Sequence, residues 1–408
     1  MTRFYKITIL VFIVAVFNSC SINKVATLAK QGSVTEKAFV KQIPFIYYND
    51  LIFVEVVIDE IPYSFFIDTG AELNVIGKHI INDIDHKVIT KANVTSTSKT
   101  KQNLKFIELP KIVFSNIGFY NTGAIIADLS HFNKFFGCQK IDGIIGNNLM
   151  RKANWQIDYQ NNIITITDNA TNLKVSDKAH EIPMGSRKWG SIYLDGEIDG
   201  IKSKFTFDTG FTGSIKSDKK LFESLQANDK DLDYVTETGE IGADLHGKTI
   251  GSIYKTYAKS INIEGVKINN QILSLEKGSS SLVGNEFFEN FIITIDWGND
   301  ILFLDPVKDV KADTLKGYEL ILLPNYLTNK IEIRRHREGY NLGKDINLEG
   351  EIIKINDINV SNFTSIELCE FWEGEKNMVD KDETLELEIL NDGEKRILIL
   401  TKKQLLPK

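Results

Sequence analysis

Two aspartates define the chemistry open to this chain. Asp68 ends an aromatic, strand-like run, Tyr63-Ser64-Phe65-Phe66-Ile67, and continues into Thr69-Gly70 and a second apolar segment, Leu73-Asn74-Val75-Ile76. Asp208 ends Lys204-Phe205-Thr206-Phe207 and continues into Thr209-Gly210, 140 positions later. One Asp-Thr-Gly is ordinary turn chemistry. Two copies, each at the end of an aromatic strand, point to two versions of one lobe, each lending a carboxylate to a shared site.

More of the repeat lies downstream of each aspartate. Ile141-Asp142-Gly143-Ile144-Ile145-Gly146-Asn147-Asn148 follows Asp68, and Ser281-Leu282-Val283-Gly284-Asn285 follows Asp208. Asp68 to Gly146 is 78 residues and Asp208 to Gly284 is 76; from each glycine to the next matched aspartate (Asp158, Asp296) is 12 in both copies. Matched features at nearly constant spacing are an internal repeat. Asp158 and Asp296 themselves read as polar residues that start β-turns.

The elements that must carry these loops are strands. Val, Ile, Phe, Tyr and Thr recur in short runs cut by Asn, Asp and Gly, which predicts a mainly β protein. At 408 residues and 42% hydrophobic the chain can bury more than one core. Leu51 to Ile58, a turn at Asp59-Glu60-Ile61-Pro62 and the Asp68 strand form a predicted hairpin that delivers the aspartate to a loop. Lys91 to Asn103 is rich in Thr, Ser and Lys and lacks apolar periodicity. A net charge of -7 without a dominant basic patch excludes nucleic acid as an expected partner. The six histidines are isolated, so neither metal nor cofactor is expected. Three cysteines are too few for a disulfide framework, and Cys138 and Cys369 read as ordinary buried or half-buried thiols.

The paired Asp-Thr-Gly motifs, each with its apolar-apolar-Gly element, resemble the aspartic proteases of the pepsin and retropepsin group over roughly residues 43 to 306. The resemblance implies two homologous closed β-barrel lobes related by a pseudo-twofold axis, lobe 1 over 43–168 and lobe 2 over 182–306. It implies Asp68 and Asp208 as the catalytic pair and Thr69 and Thr209 as hydroxyls reaching across the twofold. Gly70 and Gly210 would permit the tight loops, and Gly146 and Gly284 match the second-motif glycines. Two carboxylates about 3 Å apart cannot both ionise easily, so they share a proton and supply base and acid together. The second copy carries Phe211 where the family usually has a small residue. Gly239 to Gly247 looks like a retropepsin flap. Both aspartates lie in one chain, so the protease unit is expected to be complete as a monomer acting on a peptide or protein segment.

The ends carry other signals. Arg3 and Lys6 precede an apolar run, Ile7 to Phe17, too short to span a bilayer comfortably. Phe17-Asn18-Ser19-Cys20 resembles the lipobox of bacterial lipoproteins, which implies a signal peptide over 1–19, lipidation of Cys20 and a membrane anchor on the periplasmic or extracellular side. Residues 20–42 read as a polar tether. Residues 317–408 repeat neither lobe. There, Gly350-Glu351-Ile352-Ile353-Lys354-Ile355-Asn356-Asp357-Ile358-Asn359 resembles a signature of PDZ domains, implying a small α+β module with a turn at Asn356-Asp357. The expected function is therefore an aspartic endopeptidase of the cell envelope. The competing reading is a peptide-binding protein that keeps the protease fold without turnover and works through the PDZ-like module.

Overall fold

The protein is described here by a computed structural model covering residues 23–95, 101–185, 190–310, 314–339, 351–374, 378–391 and 393–406. It is mainly β, and the internal repeat appears as two lobes with one strand plan. Lobe 1 contains β1 (Leu51–Ile58), β2 (Ile61–Ile67), β3 (Asn74–Gly77), β4 (Lys87–Thr95), β5 (Lys101–Phe114), β6 (Ile117–Ala127) and β7 (Gly143–Ile145). Six of these close into a ring in the order β1-β2-β7-β3-β6-β5, with β5 paired back to β1. Lobe 2 repeats the plan with β8 (Tyr193–Ile198), β9 (Ile201–Phe207), β10 (Ile215–Asp218), β11 (Tyr234–Asp244), β12 (Gly247–Ile263), β13 (Val266–Glu276) and β14 (Leu282–Val283). Its ring runs β8-β9-β14-β10-β13-β12 and closes on β8. The parallel pairs also match: β2 with β7 as β9 with β14, and β3 with β6 as β10 with β13.

Local chemistry sets this plan. Asp59 and Glu60 both take positive φ between β1 and β2, and Asp199 and Gly200 do so between β8 and β9, the conformation that two-residue hairpins need. Phe65, Ile67, Phe205 and Phe207, on the strands that lead to the aspartates, are completely buried. Full burial of such a side chain contributes about 1.5–3 kcal/mol, so the two Asp-Thr-Gly loops hang from well-anchored strands.

A six-stranded sheet joins the lobes, ordered His180–Pro183, Ile301–Pro306, Phe291–Asp296, Asn154–Asp158, Ile163–Thr167, Val40–Pro44. Its centre is the pairing of Asn154–Asp158 with Phe291–Asp296, where the matched halves of the repeat meet. One hydrophobic core therefore runs through both lobes, with Trp155 of the joining sheet completely buried against Phe114 and Phe119 of lobe 1. Residues 23–42 are not the tether that their polarity suggested. A helix covers 23–30 and buries Leu28 against lobe 1, and Val40–Pro44 completes the inter-lobe sheet. A few apolar residues, Leu28, Phe39 and Ile43, dock it, too few to show as a period. Cys20 lies outside the described residues.

The C-terminal module begins with a hairpin, β15 (Leu320–Asn325) and β16 (Lys330–Arg337). β16 pairs with β11, so lobe 2's sheet continues into the module. Gly239, at φ +139°, makes this possible, because a Cβ there would collide with Arg334 O. The remainder is a sheet of Glu351–Ile355, Ile358–Asn359, Thr384–Asn391 and Glu394–Thr401 with a short helix, Met378–Lys381, and a longer one, α1 (Ser365–Glu373), started by a capping box between Thr364 and Glu367. Asn356 turns the chain at φ 49°, in the resemblance's expected turn.

Cys138 and Cys369 are bonded to each other, which overturns their reading as free thiols. They lie 231 residues apart in sequence but 5.7 Å apart at Cα, because the module folds back and sets α1 against the lobe 1 loop that carries Cys138. Such a bridge contributes about 2–5 kcal/mol, chiefly by restricting the unfolded chain. Cys369→Ser should therefore lower the melting temperature, and dithiothreitol should lower that of the parent protein while leaving the variant's unchanged. Thermal unfolding with and without reductant checks both statements.

Candidate active site

Each aspartate leaves its strand under backbone control. Asp68 N donates to Ile145 O at 3.0 Å and Asp208 N donates to Val283 O at 3.0 Å, so strands β7 and β14 hold the two loops from behind. The loops then fold onto their own carboxylates. Gly70 N and Ala71 N donate to Asp68 Oδ1 at 2.8 and 2.9 Å, and Gly210 N donates to Asp208 Oδ1 at 2.9 Å.

The threonines tie one loop to the other. Thr69 Oγ1 donates to Phe207 O at 2.9 Å and accepts from Thr209 N at 3.0 Å. Thr209 Oγ1 donates to Ile67 O at 3.0 Å and accepts from Thr69 N at 3.1 Å. Both side chains are completely buried. Each hydroxyl thus satisfies one donor and one acceptor of the opposite lobe.

The glycines let the carboxyls meet. A Cβ on Gly70 would lie 2.6 Å from Asp208 Cγ, and one on Gly210 would collide with Asp68 Cγ. Each carboxyl therefore lies over the partner loop's glycine, and the two are within hydrogen-bonding reach of each other. Gly146 and Gly284 serve the same end one layer back. A Cβ on Gly146 would meet Leu73 C at 2.6 Å, and one on Gly284 would collide with Phe211 O.

Two further functional residues went unassigned in the sequence. Asn147 Nδ2 donates to Thr69 O at 2.5 Å, and Asn285 Nδ2 donates to Thr209 O at 2.6 Å. Their signal was available: each directly follows its second-motif glycine. Phe211 is accommodated through its backbone, which follows the pattern of Ala71. Phe211 N donates to Asp208 O and Phe211 O accepts from Asn285 N, as Ala71 N donates to Asp68 O and Ala71 O accepts from Asn147 N. Asp158 and Asp296 stand away from this site and cap turns: Asp158 Oδ1 accepts from Gln160 N and Asn161 N, and Asp296 Oδ1 from Gly298 N and Asn299 N.

Burial raises the pKa of both carboxyls above the ordinary carboxylate range, and the Asp68 charge raises Asp208 further. Two N–H groups support a charge on Asp68 and one supports a charge on Asp208, so the shared proton favours Asp208.

The pair opens into a cleft of about 1200 Å³ between the lobes. Hairpin β4–β5 and hairpin β11–β12 both border it, and they touch: His246 Nε2 donates to Val94 O at 3.1 Å. The polar stretch around Lys91 is thus one arm of a hairpin whose few apolar residues, Ile89, Ala92 and Val94, pack half-buried against lobe 1 between exposed polar ones, too short a run to stand out as apolar periodicity. The flap-like Gly239 to Gly247 segment forms the tip and arms of the second hairpin.

Residues 54–149 match the sequence model of a family described as Aspartyl protease. No curated protein matches the chain. The matched segment spans lobe 1 from β1 to just beyond Asn147, and so includes Asp68 and its supporting loop.

Two outcomes test this geometry. Thr209→Val removes the hydroxyl that partners Ile67 O and Thr69 N, and each orphaned buried group should cost about 1–3 kcal/mol of stability in chemical denaturation. The second outcome concerns protons. Both carboxyls hold their proton to higher pH when folded than when unfolded, so the folded chain binds the extra protons and loses stability as pH rises past the unfolded value of 3.8. Asn cannot ionise. Asp208→Asn should therefore match the parent's melting temperature at low pH and exceed it increasingly towards neutrality, as scanning calorimetry across pH would register.

Proposed function

We propose that this protein is an aspartic endopeptidase whose base and acid are the Asp68–Asp208 pair. The observation that carries the reading is the reciprocal one: two buried carboxyls, each over the other loop's glycine, held by hydroxyls exchanged between lobes. A protein that only bound peptides would gain nothing from packing two acids together, since each loses hydration on burial.

In the proposed reaction a water between the carboxyls attacks the scissile carbonyl carbon. Its proton passes to the Asp68 carboxylate, while Asp208 gives its proton to the carbonyl oxygen, forming a tetrahedral gem-diol. On collapse, Asp68 protonates the leaving nitrogen, the C–N bond breaks, and Asp208 takes back a proton from a hydroxyl. Both carboxyls end as they began, and one water has been consumed. No cofactor takes part.

The expected setting is the cell envelope. Cys20 within its lipobox-like sequence supports lipid anchoring, and a disulfide between Cys138 and Cys369 suits an oxidising compartment. The C-terminal module is read as PDZ-like. Its Tyr326 N donates to Lys134 O at 3.2 Å, and its helix is bonded to Cys138, which supports a bracing role against lobe 1 over free capture of a peptide end.

The protease unit is proposed to work as a monomer on an extended peptide or protein segment. Purified protein should cleave members of a peptide library, and Asp68→Asn or Asp208→Asn should lower kcat/KM by at least about 1000-fold, as expected when half of an acid–base pair is lost. A mixture of the two variants should stay inactive, because each chain carries both lobes of its own site. Activity equal to the parent's in either variant would end the proposal.

A further inference from the structure

The repeat lets the two cleft walls be compared position by position. Across lobe 1, strand register lines up Phe66, Ile144, Val75, Ile125 and Phe106. The same walk through lobe 2 lines up Thr206, Leu282, Lys216, Ser274 and Lys255. All ten border the cleft. One row is wholly apolar; its counterpart holds two lysines and two hydroxyls.

The rows are also finished differently. The lobe 1 row is buried, packed beneath Leu28 and the half-buried Phe132 and Phe136. Those phenylalanines, with Phe135, are what that side presents to a substrate. In lobe 2 the polar row stays half-open. Lys216 is bonded to Glu276 at 2.7 Å, but Lys255 finds its nearest carboxylate, Glu237, only at 3.7 Å.

Glu237 is oversubscribed. It is completely buried and faces three cations: Arg337 Nη2 at 2.8 Å, Arg335 Nε at 3.6 Å and Lys255 Nζ at 3.7 Å. Glu237 Oε2 and Arg335 Nε are buried without a hydrogen-bond partner. Of the other acids near this pocket, Glu240 is committed to Arg334 and Lys134 and Glu276 to Lys216, while Glu286, exposed at the cleft, also acts on Lys255. One buried carboxylate and the exposed Glu286 against three cations still leave positive charge in excess, and two of those cations, Lys255 and Arg335, line the cleft.

We propose that the lobe 2 half of the cleft is a carboxylate-accepting subsite, built on Lys255 and Arg335, that selects a substrate acidic on this side and bulky and apolar on the other. The inference rests on the peptidase reading for its substrate class, but binding alone can test it. An acidic side chain entering the subsite supplies the carboxylate that the cluster lacks, in a desolvated place where the pairing is strong.

The test uses C-terminally amidated peptides in pairs that differ by one residue, Glu or Gln, placed after a Phe. Cleavage gives kcat/KM, and fluorescence anisotropy on Asp68→Asn protein gives Kd. Wild-type protein should favour the Glu peptide by about tenfold, the size of one partly screened charge pair, and the ratio should fall with added salt. Lys255→Gln and Arg335→Gln should each bring the ratio towards one. A Gln peptide with a free C-terminal carboxylate forms a third arm; if it alone is favoured, the subsite takes chain ends in place of side chains. Equal treatment of all three peptides by wild-type protein, or a preference indifferent to salt and to both substitutions, would overturn the proposal. If nothing is cleaved but the Glu peptide binds in a Lys255-dependent way, the peptidase reading falls and the subsite stands. If every peptide is cleaved and bound alike, the reverse holds.

Discussion

The structure depends on the exchange of hydroxyls between Thr69 and Thr209. Each reaches a backbone carbonyl and a backbone N–H of the opposite lobe, and neither has water to fall back on. Four buried groups are satisfied only if the loops stand in one mutual position, so the exchange converts two separate turns into one rigid object. That rigidity holds two acids together despite their lost hydration. The asparagines after the second-motif glycines then fix the threonine carbonyls, and the six-stranded sheet fixes the lobes that carry them.

On this symmetric frame the surroundings diverge. The lobe 2 hairpin gains a neighbour that the lobe 1 hairpin lacks among the described residues, since β16 of the C-terminal module adds to β11. Buried ion pairs reinforce the seam: Arg337 holds Glu237 through Nε and Nη2, and Arg334 Nη1 reaches Glu240 Oε1 at 2.6 Å. Buried pairs of this kind are weak sources of net stability, because desolvation offsets their attraction. They do demand one geometry, and the planar guanidinium fork enforces it. The β11–β12 hairpin is accordingly fixed along its base, while its Gly239 to Gly247 end remains half-open over the cleft.

How much of this was legible in the sequence follows from the range of each signal. The strand runs, the Asp59-Glu60 turn and the twofold repeat are local patterns or nearly constant spacings, and they survive in a one-dimensional reading. The approach of Asp68 to Asp208 was legible because duplication stands in for a contact. The Cys138–Cys369 bond was not, since neither cysteine belongs to the repeat and 231 residues separate them. The docking of residues 23 to 44 was hidden by composition: edge strands and a single-sided helix need only Leu28, Phe39 and Ile43 to anchor them. Asn147 and Asn285 stood in plain view at matched positions, but an asparagine after a glycine also reads as an ordinary turn.

The loop from Phe132 to Gln139 shows why the C-terminal module belongs to the site and not beside it. One face of this loop gives Phe132, Phe135 and Phe136 to the cleft. The loop is also held by the module: Arg334 stacks on Phe135 with Cζ 5.1 Å from the ring centroid, Gly137 packs on Tyr326, and Cys138 is bonded to α1. A loop this short has no core of its own, so its position is set from both sides at once. The apolar wall of the cleft is therefore shaped by Tyr326, Arg334 and Cys369 of the module as well as by lobe 1, and the third segment supplies a structural part of the cleft that neither lobe encodes.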